Sequence, residues 1–168
     1  MKYYHQKTSF GQILIAENVG KIVMLCTHPQ FMPAEEEMKE TPLIKEAFRQ
    51  LEEYFEGKRR DFDLPLAPIG TPFQQKVWQV LQTIPYGETR TYKQIAEQVG
   101  NPLGCRAVGM ANNKNPIGII IPCHRVIGTN GKLIGYAGGL DLKSRLLDLE
   151  KGNCYEKSGS QGTFQFTR

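Results

Sequence analysis

The sequence predicts a mixed α/β (α+β) protein in which a small sheet-and-helix domain, residues 1–70, precedes a mostly helical domain, residues 71–154. Two observations predict this order. A hairpin signal between apolar runs lies near the amino end, and two capped helices separated by a tight turn follow residue 70. Pro65, Pro68 and Gly70 mark the linker. Residues 155–168 are rich in Gly, Ser, Gln and Thr, which predicts a loosely held tail.

The first domain is expected to provide structural support. Residues 12–16 and 21–26 are apolar runs joined by Glu-Asn-Val-Gly, which predicts a β-hairpin. Thr41-Pro42 has the form of an N-cap and a first helical residue, and Gly57 would end that helix. Phe62 and Leu64 alternate with aspartates, which predicts one more strand. No residue pattern in this domain indicates a reaction.

The second domain has two clear helix starts. Thr71-Pro72-Phe73-Gln74 and Thr91-Tyr92-Lys93-Gln94 both have the form of a capping box. The second of these helices ends at Gly100, and another begins after Asn101-Pro102 and runs over about residues 103–113. A helix, a tight turn and a second helix predict a helix-turn-helix. The alternative is a helical hairpin that packs only internally.

The last of these helices is expected to present small residues to a partner. Its core side would hold Ala107, Val108 and Ala111, and its outer side Arg106, Gly109, Met110 and Asn113. Such a face lets a backbone approach closely, which favours a narrow groove over base reading in the major groove.

A cysteine next to a histidine is the strongest chemical feature. Residues 117–121 are an apolar, β-branched run that predicts a short buried strand, and Pro122 ends it directly before Cys123 and His124. A thiol becomes nucleophilic as the thiolate, which a nearby base promotes. Neighbouring side chains diverge, so a water between Cys123 and His124, with a carboxylate orienting the imidazole, is the expected relay. The alternative is a buried structural cysteine beside a surface histidine.

The chain beyond this pair should form a hairpin, a loop and a helix. Asn130-Gly131 lies between the apolar pairs 126–127 and 133–134, which predicts a hairpin. Residues 135–139, Gly-Tyr-Ala-Gly-Gly, lack the Lys-Ser/Thr of a phosphate-binding loop, so a nucleotide cradle is not predicted. The last helix should begin near Asp141 and end at Glu150.

Composition favours a reduced, intracellular protein with a polyanionic partner. Residues 1–70 hold nine Lys/Arg against eleven Asp/Glu, a net charge of −2, whereas residues 71–155 hold ten against five, a net of +5. The four widely spaced cysteines contain no CxxC, and no signal peptide or membrane-length run is present. We expect a cytoplasmic protein without a cofactor or metal, although His5, Cys26 and His28 could supply three ligands.

Three blocks of sequence together resemble a known family. Arg106-Ala107-Val108-Gly109-Met110-Ala111, then Asn115-Pro116, then Ile121-Pro122-Cys123-His124-Arg125-Val126 resemble the methylated-DNA–protein-cysteine methyltransferases, also called 6-O-alkylguanine-DNA alkyltransferases. The resemblance extends from about residue 71 to residue 152 and is looser before it. It implies a ribonuclease H-like first domain and a winged helix-turn-helix second domain that carries the active site.

The resemblance also implies a reaction and a set of residues. Cys123 would take the alkyl group from the 6-oxygen of guanine, or from the 4-oxygen of thymine in 4-O-alkylthymine. The transfer would be irreversible and would occur once per molecule. His124 would act as base through a water, Glu150 would orient it, Asn115 would tie the helix end to the active-site segment, and Tyr92 would assist the leaving base. Contacts to DNA and to the flipped base are implied for Arg106, which would fill the vacated stack, and for Ala107, Gly109, Met110, Asn113, Arg125, Val126, Tyr136, Ala137 and Gly138.

The implied partner is double-stranded DNA with alkylated bases, bound through its minor groove by a monomer, with no membrane. Three other functions remain open: a non-catalytic damage sensor of the same fold, a methyl-responsive DNA-binding regulator, and a cysteine hydrolase.

Overall fold

A computed structural model describes residues 1–30 and 33–155, with side chains up to residue 152. The chain divides into two units: Met1–Ile69 with Pro116–Ile120, and Gly70–Asn115 with the described residues from Ile121 onward. Pro116–Ile120, which the sequence assigns to the second domain, groups with the first unit because it pairs with a strand there. The predicted tail lies outside the described residues, apart from Tyr155, which ends the last helix.

The first unit contains a three-stranded antiparallel sheet in the order β1 (Lys2–Thr8), β2 (Gly11–Asn18), β3 (Lys21–Cys26). Val19 and Gly20 join β2 to β3 with φ values of 49° and 73°. Positive φ at both central residues is the geometry of a two-residue hairpin turn, so the predicted hairpin is confirmed. The four central residues of β2, Ile13 to Ala16, are all fully buried.

Helix α1 (Pro42–Phe55) packs on β2 and β3. Thr41 caps it by accepting from the Ile44 N–H at 3.1 Å, and Gly57 follows its end with φ 76°. Both predicted ends of this helix are confirmed. Its buried face places Ile44, Ala47 and Leu51 against the sheet.

The outer edge of β3 is covered by two short bridges. Ile22 donates to Pro65 O at 2.9 Å, and Leu25 donates to Pro116 O at 2.9 Å. The predicted strand at Phe62 and Leu64 is wrong: neither residue lies in a strand, and the nearest pairing is a single bridge between Ile22 and Leu66. The flanking prolines have no N–H to continue a ladder.

The predicted strand over residues 117–121 is also wrong. Ile117 forms one bridge with Leu25, and the chain then turns: the Ile120 N–H donates to Gly118 O at 2.7 Å around Ile119, whose φ is 68°. This is a γ-turn, and a β-branched residue rarely adopts that φ. The apolar residues from 117 to 120 are therefore buried in a turn of the first unit and do not form a strand of its sheet.

The second unit contains helices α2 (Pro72–Leu81), α3 (Tyr92–Gln98), α4 (Cys105–Asn113) and α5 (Leu140–Tyr155). Both predicted capping boxes are formed, at Thr71 with Gln74 and at Thr91 with Gln94. Helix α4 packs on α2 and α3, and the buried Trp78 Nε1 donates to Ala111 O at 2.8 Å. The predicted helix-turn-helix, α3 and α4, is confirmed.

Two predictions for the end of this unit are wrong. β5 (Val126–Ile127) pairs in parallel with β4 (Arg90–Thr91) and forms no hairpin with residues 133–134. The Asn-Gly sequence instead makes a turn in which the Gly128 N–H donates to Lys132 O at 2.9 Å. Helix α5 continues past Glu150 to Tyr155. None of the helices within the described residues has the length and apolar character needed to span a membrane.

Candidate active site

Cys123 begins a 3₁₀ turn, Cys123–Arg125, and its side chain is buried. Pro122 before it has φ −81° and ψ 63°, and the Cys123 N–H donates to Ile121 O at 2.8 Å. These are the angles of an inverse γ-turn, whose φ the proline ring imposes. Burial raises the pKa of the thiol, and Asn115, Lys143 and nearby N–H groups offset this only in part. The thiol therefore needs a base to become a nucleophile.

His124 and Glu150 form a buried pair. His124 Nε2 lies 2.7 Å from Glu150 Oε2, and the two side chains are 0% and 1% exposed. Burial lowers the pKa of His124, against the opposing effect of the Glu150 carboxylate. A neutral imidazole that donates from Nε2 keeps Nδ1 as an acceptor. Nδ1 is buried and has no hydrogen-bond partner among the described residues.

Arg125, predicted to contact DNA, points its side chain into the protein. Its side chain is 8% exposed; Nε donates to Glu150 Oε1 at 2.8 Å and Nη2 to Glu150 Oε2 at 3.0 Å. Nη1 donates to Ile84 O at 2.7 Å. Burial opposes ionisation of Glu150, but His124 and Arg125 outweigh it and hold the pKa of this carboxyl far below its usual range. Glu150 is thus an ionised carboxylate with both oxygens engaged.

Two asparagines hold the backbone on either side of Pro122. Asn115 Nδ2 donates to Ile121 O at 2.8 Å, and Asn112 Nδ2 donates to Cys123 O at 3.3 Å. Asn112 was not predicted, and its Oδ1 is buried without a partner in the described part of the chain. The sequence did contain a signal for Asn112, because it is a polar residue on the same side of the helix as the buried Val108 and Ala111.

Tyr92 and Lys143 share two carbonyl groups. The Tyr92 hydroxyl donates to Ile134 O at 2.7 Å, and Lys143 Nζ donates to Ile134 O at 3.0 Å and to Gly135 O at 3.2 Å. Burial raises the pKa of Tyr92 to about 12, with the Cys123 charge acting in the same direction. Burial lowers the pKa of Lys143 to about 8, against the effect of Cys123. Lys143 was missed because a lysine in an amphipathic helix is normally solvated.

Of the remaining residues expected to contact the base, three lie in the glycine-rich loop, residues 135–139, and Val126 lies in β5. Tyr136 is half-buried; burial raises its pKa well above the usual value, and charges at Cys123 and Glu150 act in the same direction. Ala137 is exposed and Gly138 is buried, in a turn where the Gly139 N–H donates to Tyr136 O at 3.0 Å. Val126 is buried in β5, paired with Arg90.

Helix α4 carries half of the residues predicted to contact DNA or the flipped base. Arg106, Ala107, Met110 and Asn113 are exposed, and Gly109 is half-buried. The expectation that Ala107 faces the core is wrong, since Asn112 takes an inner position instead. Leu103, in the turn before α4, is 96% exposed and Met110 is 69% exposed. A Cβ on Gly109 would lie 4.0 Å from the Tyr92 ring, so this helix passes close to Tyr92.

Among the side chains described, those of residues 1–30 and 33–152, no three of His, Cys, Asp or Glu converge as metal ligands. The set His5, Cys26 and His28 is therefore not assembled.

A helix-turn-helix beside a buried thiol and an imidazole–carboxylate pair defines a DNA-binding group-transfer protein. The family profile described as 6-O-methylguanine DNA methyltransferase, DNA binding domain, matches residues 72–152, and the profile of its ribonuclease-like domain matches residues 1–68. The chain belongs to this family, the methylated-DNA–protein-cysteine methyltransferases, which act in the repair of alkylated DNA.

Individual relatives agree with this assignment. The constitutive methylated-DNA–protein-cysteine methyltransferase of Bacillus subtilis is 48% identical over 94% of this chain and 100% of its own length. The Methanosarcina acetivorans enzyme is 64% identical over 66% of this chain and 70% of its own. The crystal structure of Mycobacterium tuberculosis OGT in complex with DNA has a TM-score of 0.82 at 44% identity, covering 91% of this chain and 94% of that one.

Proposed function

We propose that this chain transfers the alkyl group of 6-O-alkylguanine, and of 4-O-alkylthymine, from duplex DNA to its own Cys123. One observation carries the proposal: buried Cys123 is followed directly by His124, whose Nε2 lies 2.7 Å from Glu150. The activity in the name of the Bacillus subtilis relative supports it. The thioether product has no good leaving group, so each molecule acts once.

The proton and the electron pair can be followed through the step. His124 Nδ1 takes the thiol proton through a water, and the sulfur attacks the alkyl carbon. The new bond joins Sγ to that carbon, the bond from carbon to the guanine oxygen breaks, and its electron pair stays on the base. Protonation of the base balances the proton lost by the thiol. Glu150 stabilises the imidazolium while it exists.

Tyr92 helps the base to leave by donating a hydrogen bond to its ring nitrogen. With a pKa raised to about 12, the hydroxyl stays protonated and remains a donor at neutral pH. The hydroxyl donates to Ile134 O, 2.7 Å from its own oxygen, and must turn away from that carbonyl to reach a base. Lys143 Nζ, 3.0 Å from the same oxygen, keeps that carbonyl paired when Tyr92 turns.

DNA engages the outer face of α4 as a minor-groove ligand. The small residues Ala107 and Gly109 allow close approach, and exposed Arg106 fills the place of the flipped base. Flipping costs a few kcal/mol, less for a damaged pair, so lesions are extruded in preference. Val126, Tyr136, Ala137 and Gly138 surround the extruded base, and one copy of the chain acts at each lesion.

Incubation with DNA that carries labelled 6-O-methylguanine, followed by peptide mass analysis, tests the proposal. We expect one label per molecule, on Cys123. Cys123→Ala should bind DNA without taking label, whereas Cys105→Ala, which removes an exposed cysteine, should react normally. Repeated turnover would show a hydrolase, and binding without label would show a sensor or regulator.

A further inference from the structure

Arg125 makes a two-pronged contact with the carboxylate that orients His124. Nε and Nη2 donate to the two oxygens of Glu150 at 2.8 and 3.0 Å, and a third donor, Nη1, is fixed on Ile84 O at 2.7 Å. The guanidinium also lies 5.7 Å from the centre of the Tyr86 ring. A forked contact of this kind sets the plane of the carboxylate as well as its charge.

The charge on Glu150 decides which imidazole nitrogen of His124 carries the hydrogen. Oε2 receives both Arg125 Nη2 and His124 Nε2. An ionised carboxylate only accepts hydrogen bonds, so the nitrogen that faces it must donate. In a site this buried, a carboxyl without a cation nearby favours its neutral form. Its O–H could then donate to Nε2, and the imidazole hydrogen would move to Nδ1.

We propose that Arg125 is a positioning residue for alkyl transfer, which fixes His124 through Glu150 in the form whose Nδ1 is bare. The inference rests on the proposed function, in which this nitrogen takes the thiol proton. The charged and titratable groups around His124 are Glu150 and Lys143 on α5, and Cys123 and Arg125 on its own turn. The two cations disfavour the imidazolium and the carboxylate favours it.

Arg125→Met removes the charge and the fork at similar length. Glu150 then either stays ionised, so that His124 takes up a proton more readily, or becomes neutral and donates to Nε2. We expect the second result, because burial favours the neutral carboxyl; it places the hydrogen on Nδ1 and so removes the base. Arg125→Lys keeps a positive charge but cannot hold both oxygens in one plane.

The first measurement is the nitrogen NMR spectrum of ¹⁵N-histidine-labelled protein at neutral pH. The chain has three histidines, and His124 is identified by the signal lost in His124→Gln. In the unmodified chain, Nδ1 should be unprotonated and Nε2 protonated. Arg125→Met should show a protonated Nδ1, and Arg125→Lys should keep the original pattern. Each variant is first checked for cooperative unfolding.

The second measurement is the rate of alkyl transfer from free 6-O-benzylguanine, in which DNA binding has no part. We expect a loss of about 10- to 100-fold in Arg125→Met and a smaller loss in Arg125→Lys. Arg49→Met is the matched control, since Arg49 contacts Glu46 and Glu53 on the exposed side of α1. It should change neither readout.

An unchanged nitrogen pattern in folded Arg125→Met would overturn the inference, even with a slower rate, because the role would then be merely structural. Should Arg125→Met not fold, Arg125→Gln, which also removes the charge, takes its place and is judged by the same change in the nitrogen pattern. The spectrum needs no alkyl donor. A chain that never alkylates Cys123 but shows the predicted nitrogen change would refute the proposed function alone.

Discussion

His124 and Glu150 both have a lowered pKa in the folded chain, and both changes make the protein less stable in acid. Between the folded pKa of His124 and its unfolded value of about 6.5, the unfolded chain binds a proton that the native chain does not. The free energy of unfolding therefore rises with pH in that window. Above the window, the contribution of His124 to stability is complete. Glu150 adds a second loss at lower pH, below its unfolded pKa of about 4.3.

Acidification from pH 7.5 to 5.5 should lower the free energy of unfolding with a slope of up to about 1.4 kcal/mol per pH unit for the His124 proton. Urea unfolding at several pH values measures this slope. In His124→Gln, the loss between pH 6.5 and 5.5 should disappear, whereas the loss near pH 4 from Glu150 should remain. An identical slope in both proteins above pH 5 would show that His124 is not the group responsible.

Lys143 should affect the reactivity of Cys123 because its ammonium favours the thiolate in a buried site. Lys143→Met should lower the rate of transfer from free 6-O-benzylguanine about tenfold. Lys132→Met, which removes the same charge from an exposed position, should react at the original rate. Stopped reactions followed by mass analysis of the Cys123 peptide measure both rates, and equal rates for the two variants would refute this role.

At the scale of elements, the sequence was more informative about helices than about strands. The capping boxes at Thr71 and Thr91 act within four residues, so both helix starts could be read directly. Strand pairing is non-local: Val126 pairs with Arg90, far away in the chain, and not with the apolar pair after the Asn-Gly turn. Apolar content alone also could not distinguish a buried turn at Ile119 from a strand.

The same distinction applies to the site. The pairing of Cys123 with His124 could be read from their adjacency in the sequence. The burial of Arg125, Lys143 and Asn112 could not, because it depends on packing with other elements. A charged residue is normally solvated, so nothing local indicates that it is paired inside the protein. The sequence therefore predicts the Cys123–His124 pair more readily than the charged groups packed around it.

Helix α4 should contribute to base extrusion through Arg106, which is exposed near its start. Arg106→Ala should slow transfer from duplex DNA at least about tenfold, because nothing then occupies the vacated stack, and should leave the reaction with free 6-O-benzylguanine unchanged. Lys114→Ala removes a charge just beyond the other end of α4. It should weaken DNA binding but leave the rate of alkyl transfer unchanged once DNA is saturating. Equal losses of Arg106→Ala on duplex and free base would exclude a role in flipping.

Over the whole molecule, positive charge is concentrated in the unit that contains α4. Pro116–Ile120 has no charged residue, so the two units keep the net charges of −2 and +5 counted for residues 1–70 and 71–155. A basic surface that meets phosphates releases bound cations from DNA, and this release favours binding at low salt. We therefore expect the affinity for DNA to be set mainly by the second unit.

The logarithm of the DNA affinity should fall linearly with the logarithm of salt concentration, with a slope of about −0.9 per phosphate contact. For about four contacts the slope would be about −3.6. Lys114→Gln, in the second unit, should reduce its magnitude by about 0.9, whereas Lys45→Gln, an exposed lysine of α1, should leave it unchanged. Fluorescence anisotropy with unmodified duplex at several salt concentrations measures both slopes. A larger change for Lys45→Gln would place the DNA-binding surface on the first unit, because the slope counts only the charges that displace counterions.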